Sequence, residues 1–141
     1  MINHAGTLLR AGQAHECVGL LTMTMPSARE VLGVKHPRMQ DAMLILADAS
    51  MLIGEHAAAL ASYQELFDTR LELQGEAHPQ TIVAAWNIVD ANEQLGRSSA
   101  AAGLRKRYMA PLLAADPASL SEPLANLAEA MRENERPGKL N

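Results

Sequence analysis

The sequence predicts an all-α protein, an α-solenoid of about seven helices stacked as antiparallel pairs, and three observations carry that reading. The first is the palette: apolar residues fill 48% of the 141 positions but aromatics only 3%, so the core has to be built from Ala, Leu, Met, Ile and Val. Such residues suit helices, and no stretch sustains the period-two alternation that a half-buried strand needs. The second is a period. Gly12, Gly54 and Gly96 stand 42 residues apart, and Gly33-x-x-His36-Pro37 returns at the same displacement as Gly75-x-x-His78-Pro79. The same offset relates Ala5 to Ala47, Glu30 to Glu72, Asp48-Ala49 to Asp90-Ala91, and Ala58-Ala59 to Ala100-Ala101. Chance at ordinary residue frequencies gives scattered matches, not clusters at glycines and prolines. The third is length, which suits one compact domain able to bury most of its apolar surface without metal or disulfide staples.

Each repeat reads as two helices. The units run over about 1–35, 36–77 and 78–115, followed by a terminal helix within 116–134 and a flexible tail at 135–141. The first unit is truncated, with a short helix at 2–11 before a long one at 14–32. In the second, His36-Pro37 opens a helix over 37–53, because proline has no amide hydrogen to lose in a first turn and its φ already suits one. Met43, Leu46, Ala47 and Met51 follow the helical period. A turn at Gly54 leads to the partner helix over 56–74, whose small residues Ala58 and Ala59 allow close approach. The third unit repeats this with helices at 80–95 and 98–114 around Gly96. Asp116-Pro117 then opens the last helix, at 118–134. Pro26 and Pro111 fall inside second helices, where a kink or break is expected, since an interior proline removes a hydrogen bond and crowds the preceding turn.

These residues resemble a known family. Gly-x-x-His-Pro, then Asn87-Ile88-Val89 in a first helix, Leu95-Gly96 at the turn and Ala100-Ala101 in the second helix look like a tetratricopeptide repeat. The 42-residue period resembles the kinesin-light-chain type, also found in many bacterial regulatory proteins. The resemblance covers residues 5–134 and implies a right-handed solenoid whose first helices line a concave, peptide-binding groove. Asn92 and Ser50 stand where the family usually has tyrosine, and Arg105 where an aromatic is common.

Little in the chain looks like chemistry. No nucleophile elbow, phosphate-binding glycine loop or dinucleotide fingerprint occurs, so no catalytic residues, no metal ligands and no cofactor are assigned. His36 and His78 lie one repeat apart and cannot share an ion; their expected task is a hydrogen bond to backbone at the turn. The carboxylate pairs Asp90 with Glu93 and Glu129 with Glu133 have the spacing of solvated helix faces. The lone Cys17 permits no internal disulfide and aligns with Ala59 and Ala101, which predicts a buried, inert thiol in a reducing compartment. Twelve Lys and Arg against sixteen Asp and Glu leave a net charge of -4, which argues against nucleic acid as a partner. Charged residues interrupt every long apolar window, so no membrane partner is expected, and without a secretory signal the chain reads as cytoplasmic.

A binding surface remains. First-helix residues expected on the groove are Asp41, Leu44, Ile45, Asp48 and Met51 in one unit, then Trp86, Asn87, Asp90, Glu93 and Gln94 in the next. Asn126, Glu129 and Arg132 are their counterparts in the terminal helix. The resemblance implies that Asn87 and Asn126 hydrogen-bond the backbone of a bound peptide; Asn87 equally fits a plain helix-surface asparagine, and Trp86 fits either core or a binding hot spot. Five carboxylates against one arginine predict a basic or amphipathic protein or peptide partner. The leading expectation is a noncatalytic protein-interaction module. The alternatives are a sensor domain of a bacterial signalling or transcription-regulatory protein, and a self-assembly scaffold. The short first unit predicts an exposed apolar flank at Ala5, Leu8 and Leu9, hence either a missing upstream segment or a homodimer.

Overall fold

The computed structural model describes residues 2–134, and the tail expected at 135–141 lies outside them. Among the described residues there is no strand. Seven helical segments account for nearly all of the chain: α1 (Ile2–Arg10), α2 (Ala14–Leu32), α3 (Pro37–Leu52), α4 (His56–Gln74), α5 (Pro79–Gln94), a composite α6 and α7 (Glu122–Asn134). α6 passes from a 3₁₀ turn at Ser98–Ala101 through Ala102–Leu104 and a π-helical stretch at Arg105–Met109 to Ala110–Ala114. The chain falls into two compact units, Met1–Leu73 and Gln74–Asn141.

The repeat is visible in the turns. Gly54 holds φ +85 after α3; its N–H bonds Met51 O at 3.2 Å and that of Glu55 bonds Ser50 O at 2.9 Å. This pair of bonds closes a helix with a left-handed residue that only glycine adopts without strain. The same two bonds recur at Gly12, to Leu9 and Leu8, and at Gly96, to Glu93 and Asn92. Where α2 ends, Gly33 takes φ +81 and ψ 157, a region essentially closed to other residues.

The helix starts repeat as well. His36 and His78 are extended (φ -66, ψ 135 and φ -71, ψ 136), and each Nδ1 accepts the backbone N–H two residues on, from Arg38 at 3.1 Å and Gln80 at 3.2 Å. The histidines are therefore N-caps, with Pro37 and Pro79 occupying the first turn. Asp116 does the same for Ala118 at 3.0 Å. His36→Ala or His78→Ala is expected to lower stability by about 1 kcal/mol each, and His→Asp, copying Asp116, to restore it, as read by urea unfolding.

In the first unit Ala5, Cys17, Leu21, Met25, Met39, Met43 and Leu66 form a buried cluster shared by α1, α2, α3 and α4. The expected apolar flank is absent: Ala5 is fully buried, and Leu8 and Leu9 pack against this cluster, because α1 lies on both α2 and α3. In the second unit Ile88, Val89, Tyr108, Met109, Leu112, Leu127 and Met131 are the large buried side chains. Cys17, Ala59 and Ala101 are all buried where second helices begin, as the small-residue alignment predicts. Ser50 and Asn92 are buried too, and Asn92 settles its amide on Ile88 O at 2.8 Å.

Three local expectations need correction. Pro26 does not break α2, which runs unbroken to Leu32; Pro26 and Thr22 are both exposed, so the carbonyl deprived of its partner lies on the solvent side. Pro111 does perturb its helix, and the π stretch shows how: Ala110 N–H reaches Arg105 O, five residues back, widening the turn against which the proline ring would press. The last helix begins at Glu122, not at 118. Asp116 and Pro117 make only the 3₁₀ turn Pro117–Ser119, Leu120 is extended at ψ 145, and a new start places Pro123 in a first turn where it needs no donor.

Candidate functional site

The first-helix faces hold the expected residues in two separate settings. In the first unit, α1 and α3 enclose an open depression of about 300 Å³ lined by Asn3, Gly6, Thr7, Arg10, Asp41, Leu44 and Ile45. Close approach makes it: a Cβ on Gly6 would sit 3.6 Å from Ile45 Cδ1 and 3.5 Å from Arg10 Nη1. Leu44 and Ile45 form a half-buried apolar floor between polar walls. Asp48 and Met51 continue the face along α3, both half-buried.

In the second unit Trp86, Asn87, Asp90 and Glu93 stand half-buried along α5, while Asn126 and Glu129 are exposed on α7. Arg132 leaves the expected set. It donates to Leu113 O at 3.2 Å, so it serves the C-terminal carbonyls of α6.

Comparing residues 42 apart explains the charges. Tyr63 on α4 and Arg105 on α6 occupy the same place in their repeats, facing Asp48 with Met51 in one copy and Asp90 with Glu93 in the other. Tyr63 donates its hydroxyl to Asp48 Oδ1 at 2.5 Å. Arg105 instead takes Glu93 Oε1 through Nε at 2.9 Å and Nη2 at 2.6 Å, and Asp90 is left to accept from Gln94 at 2.9 Å. The face is therefore less acidic than the sequence suggests, because Glu93 is paired within the chain and Arg10 lines the α1–α3 depression. Asp41 is also engaged: its charge holds the buried Arg70 guanidinium in its cationic form against the pull of burial.

Burial pushes both Asp48 and Asp90 above the usual carboxylate range; Tyr63 opposes this at Asp48, and at Asp90 Gln94 opposes it while Glu93 adds to it. A folded-state pKa raised in this way means that the folded chain holds the proton more tightly than the unfolded one. Stability is then greatest below the carboxylate range and falls as pH climbs through it towards the raised value. Asp90→Asn keeps an acceptor for Gln94 and removes the buried charge. Its melting temperature is expected to exceed wild type at neutral pH and to match it in acid, as read by thermal melts across that range.

Among the described residues, no three His, Cys, Asp or Glu side chains gather as metal ligands would. Burial raises the Cys17 thiol, as fits an inert group. A second concavity of about 300 Å³ opens in the second unit over Ile82, Tyr108, Leu112, Leu120 and Leu124, with the ion-paired Arg107 and Glu76 in its lining.

Three residues of the α1–α3 depression escaped sequence reasoning: Asn3, Thr7 and Arg10. The signal was present, since Asn3 lies 42 residues before Ile45 and 84 before Asn87, at the asparagine position of the repeat. It was missed because a short opening helix reads as a flank and not as a first helix. Comparison with protein-family models, with curated proteins and with solved structures finds no match to this chain. No helix of the described residues is long and apolar enough to cross a membrane.

Proposed function

We propose that the chain is a noncatalytic helical-repeat module of the tetratricopeptide kind, which binds an extended peptide segment of a partner protein along its first-helix faces. The observation that carries this reading is the α1–α3 depression, where an apolar floor of Leu44 and Ile45 lies between Asn3, Thr7 and Arg10 on one side and Asp41 on the other. Open grooves of that composition suit a peptide whose apolar side chains seat on the floor while its backbone bonds the polar walls. Asn3 and Asn87, alike in repeat position, are the side chains assigned to the peptide backbone, and Asn126 is assigned the same task. Trp86 serves as an apolar anchor.

The partner segment is amphipathic with a basic residue. Asp90 holds a half-buried charge that the fold pays for in solvation, and a cationic group at that point relieves it. Titration with basic amphipathic peptides, followed through the emission of Trp86, tests this. Wild type is expected to bind and to reject the same peptides with Lys and Arg replaced by Glu. Asp90→Lys is expected to weaken binding at least tenfold with helicity intact, while unchanged affinity rules out the assigned face. Asp41→Lys is the poorer test, since it also withdraws a charge from Arg70.

A further inference from the structure

The outer face of α2 carries two large apolar side chains that nothing among the described residues covers: Met23 and Val31 are 81% and 82% exposed. With Thr24, Ser27, Ala28 and Leu32 they border a shallow apolar depression of about 430 Å³ that contains no charged side chain. The repeat shows what kind of object belongs there. Displaced by 42 residues, Met23, Thr24, Ser27 and Ala28 become Glu65, Leu66, Thr69 and Arg70 of α4. That face of α4 is covered within the first unit: Glu65 pairs with Arg29 of α2, Arg70 donates to Gln40 of α3, and Leu66 lies in the core cluster with Cys17, Leu21 and Met25. The α2 surface thus has the position of a helix-packing face and the composition of one, without the helix.

We infer that this face docks a second copy of the chain, with the two α2 helices antiparallel about a two-fold axis at Ser27. The spacing is self-complementary. With Ser27 opposite its own image, Met23 lies against Val31 of the partner, Val31 against Met23, and Glu30 against the uncharged Thr24. An isologous contact requires a patch that pairs with itself in this way. The small serine at the axis lets the backbones approach, and no like charges meet there. The face is distinct from the first-helix surface assigned to peptide, so dimerisation and peptide capture are separable.

Sedimentation of the full chain from micromolar to millimolar concentration is expected to show a reversible monomer–dimer equilibrium. Met23→Glu with Val31→Glu, both at exposed positions, is expected to raise the dissociation constant about a hundredfold, roughly tenfold for each lost apolar contact, with unchanged helicity. In a Cys17→Ala background, Ser27→Cys is expected to form a disulfide-linked dimer under oxidised glutathione, whereas Met23→Cys, facing Val31, is not. A monomer at every concentration, a dimer indifferent to the double substitution, or cross-linking that favours Met23→Cys over Ser27→Cys overturns the inference. The last result would mean that another helix in another register occupies the face.

Discussion

Leu66→Ala is expected to lower the unfolding free energy by about 2–5 kcal/mol, the usual range for truncating a fully buried leucine whose surroundings cannot collapse. Leu66 is fully buried and joins α4 to the cluster of Cys17, Leu21, Met25, Met39 and Met43, so the cavity opens where α2, α3 and α4 meet. Small domains hold only about 5–15 kcal/mol in total, so the loss amounts to a large fraction of what keeps the first unit folded. Met23→Ala is the control, since 81% exposure leaves little packing to lose in the monomer. Urea unfolding followed by circular dichroism measures both. A loss below about 1 kcal/mol for Leu66→Ala would mean that α4 is not seated on α2 and α3 as described.

Arg70→Ala is expected to cost about 2–4 kcal/mol, for a different reason. Arg70 is buried to 7% exposure and donates its Nε to Gln40 Oε1 at 3.3 Å. Truncation leaves a void and deprives Gln40 of a donor, although Gln40 still gives its amide to Lys35 O at 3.1 Å. The repeat supplies the control: 42 residues on stands Leu112, also buried. Arg70→Leu refills the volume and removes a cation held against burial, so its cost is expected to be less than half that of Arg70→Ala. Replacing a buried ion by a well-packed apolar residue is often near neutral. Equal losses for the two variants would place the stabilisation in the charge, with Asp41 as the group it serves.

Much of the fold was legible because it rests on short-range rules that repeat. Gly54 and Gly96 announce turns that only glycine makes without strain, and His-Pro announces a capped start; those signals place α2 and α4 at their observed bounds. Pro26 misled because interior proline is judged on the helix alone, while the structure adds that its unpaired carbonyl lies on the solvent side. Pro123 was overlooked: read beside Asp116-Pro117, it predicts the interruption after Ser119, since a helix running through it would need an N–H that proline lacks. The candidate site was harder. That Trp86, Asn87 and Asp90 share a face follows from helical spacing, but whether a carboxylate is available depends on what reaches it from the neighbouring helix. One substitution between repeats, Tyr63 to Arg105, moves the engaged acid from Asp48 to Glu93. Single-residue contacts of this kind have no signature in periodicity.

The central claim is that the 42-residue register decides which faces recognise a partner, with first helices reading peptide and second helices packing. Amide chemical-shift perturbation on adding a basic amphipathic peptide, chosen for binding in the Trp86 titration, tests it residue by residue. The account predicts perturbations concentrated at Asn3, Thr7, Asp41, Leu44 and Ile45, and at Trp86, Asn87 and Asp90, with α2 and α4 unchanged on their outer faces. Perturbations centred on Met23, Ser27 and Val31, or over Tyr108 and Leu112, with α3 and α5 silent, would contradict it.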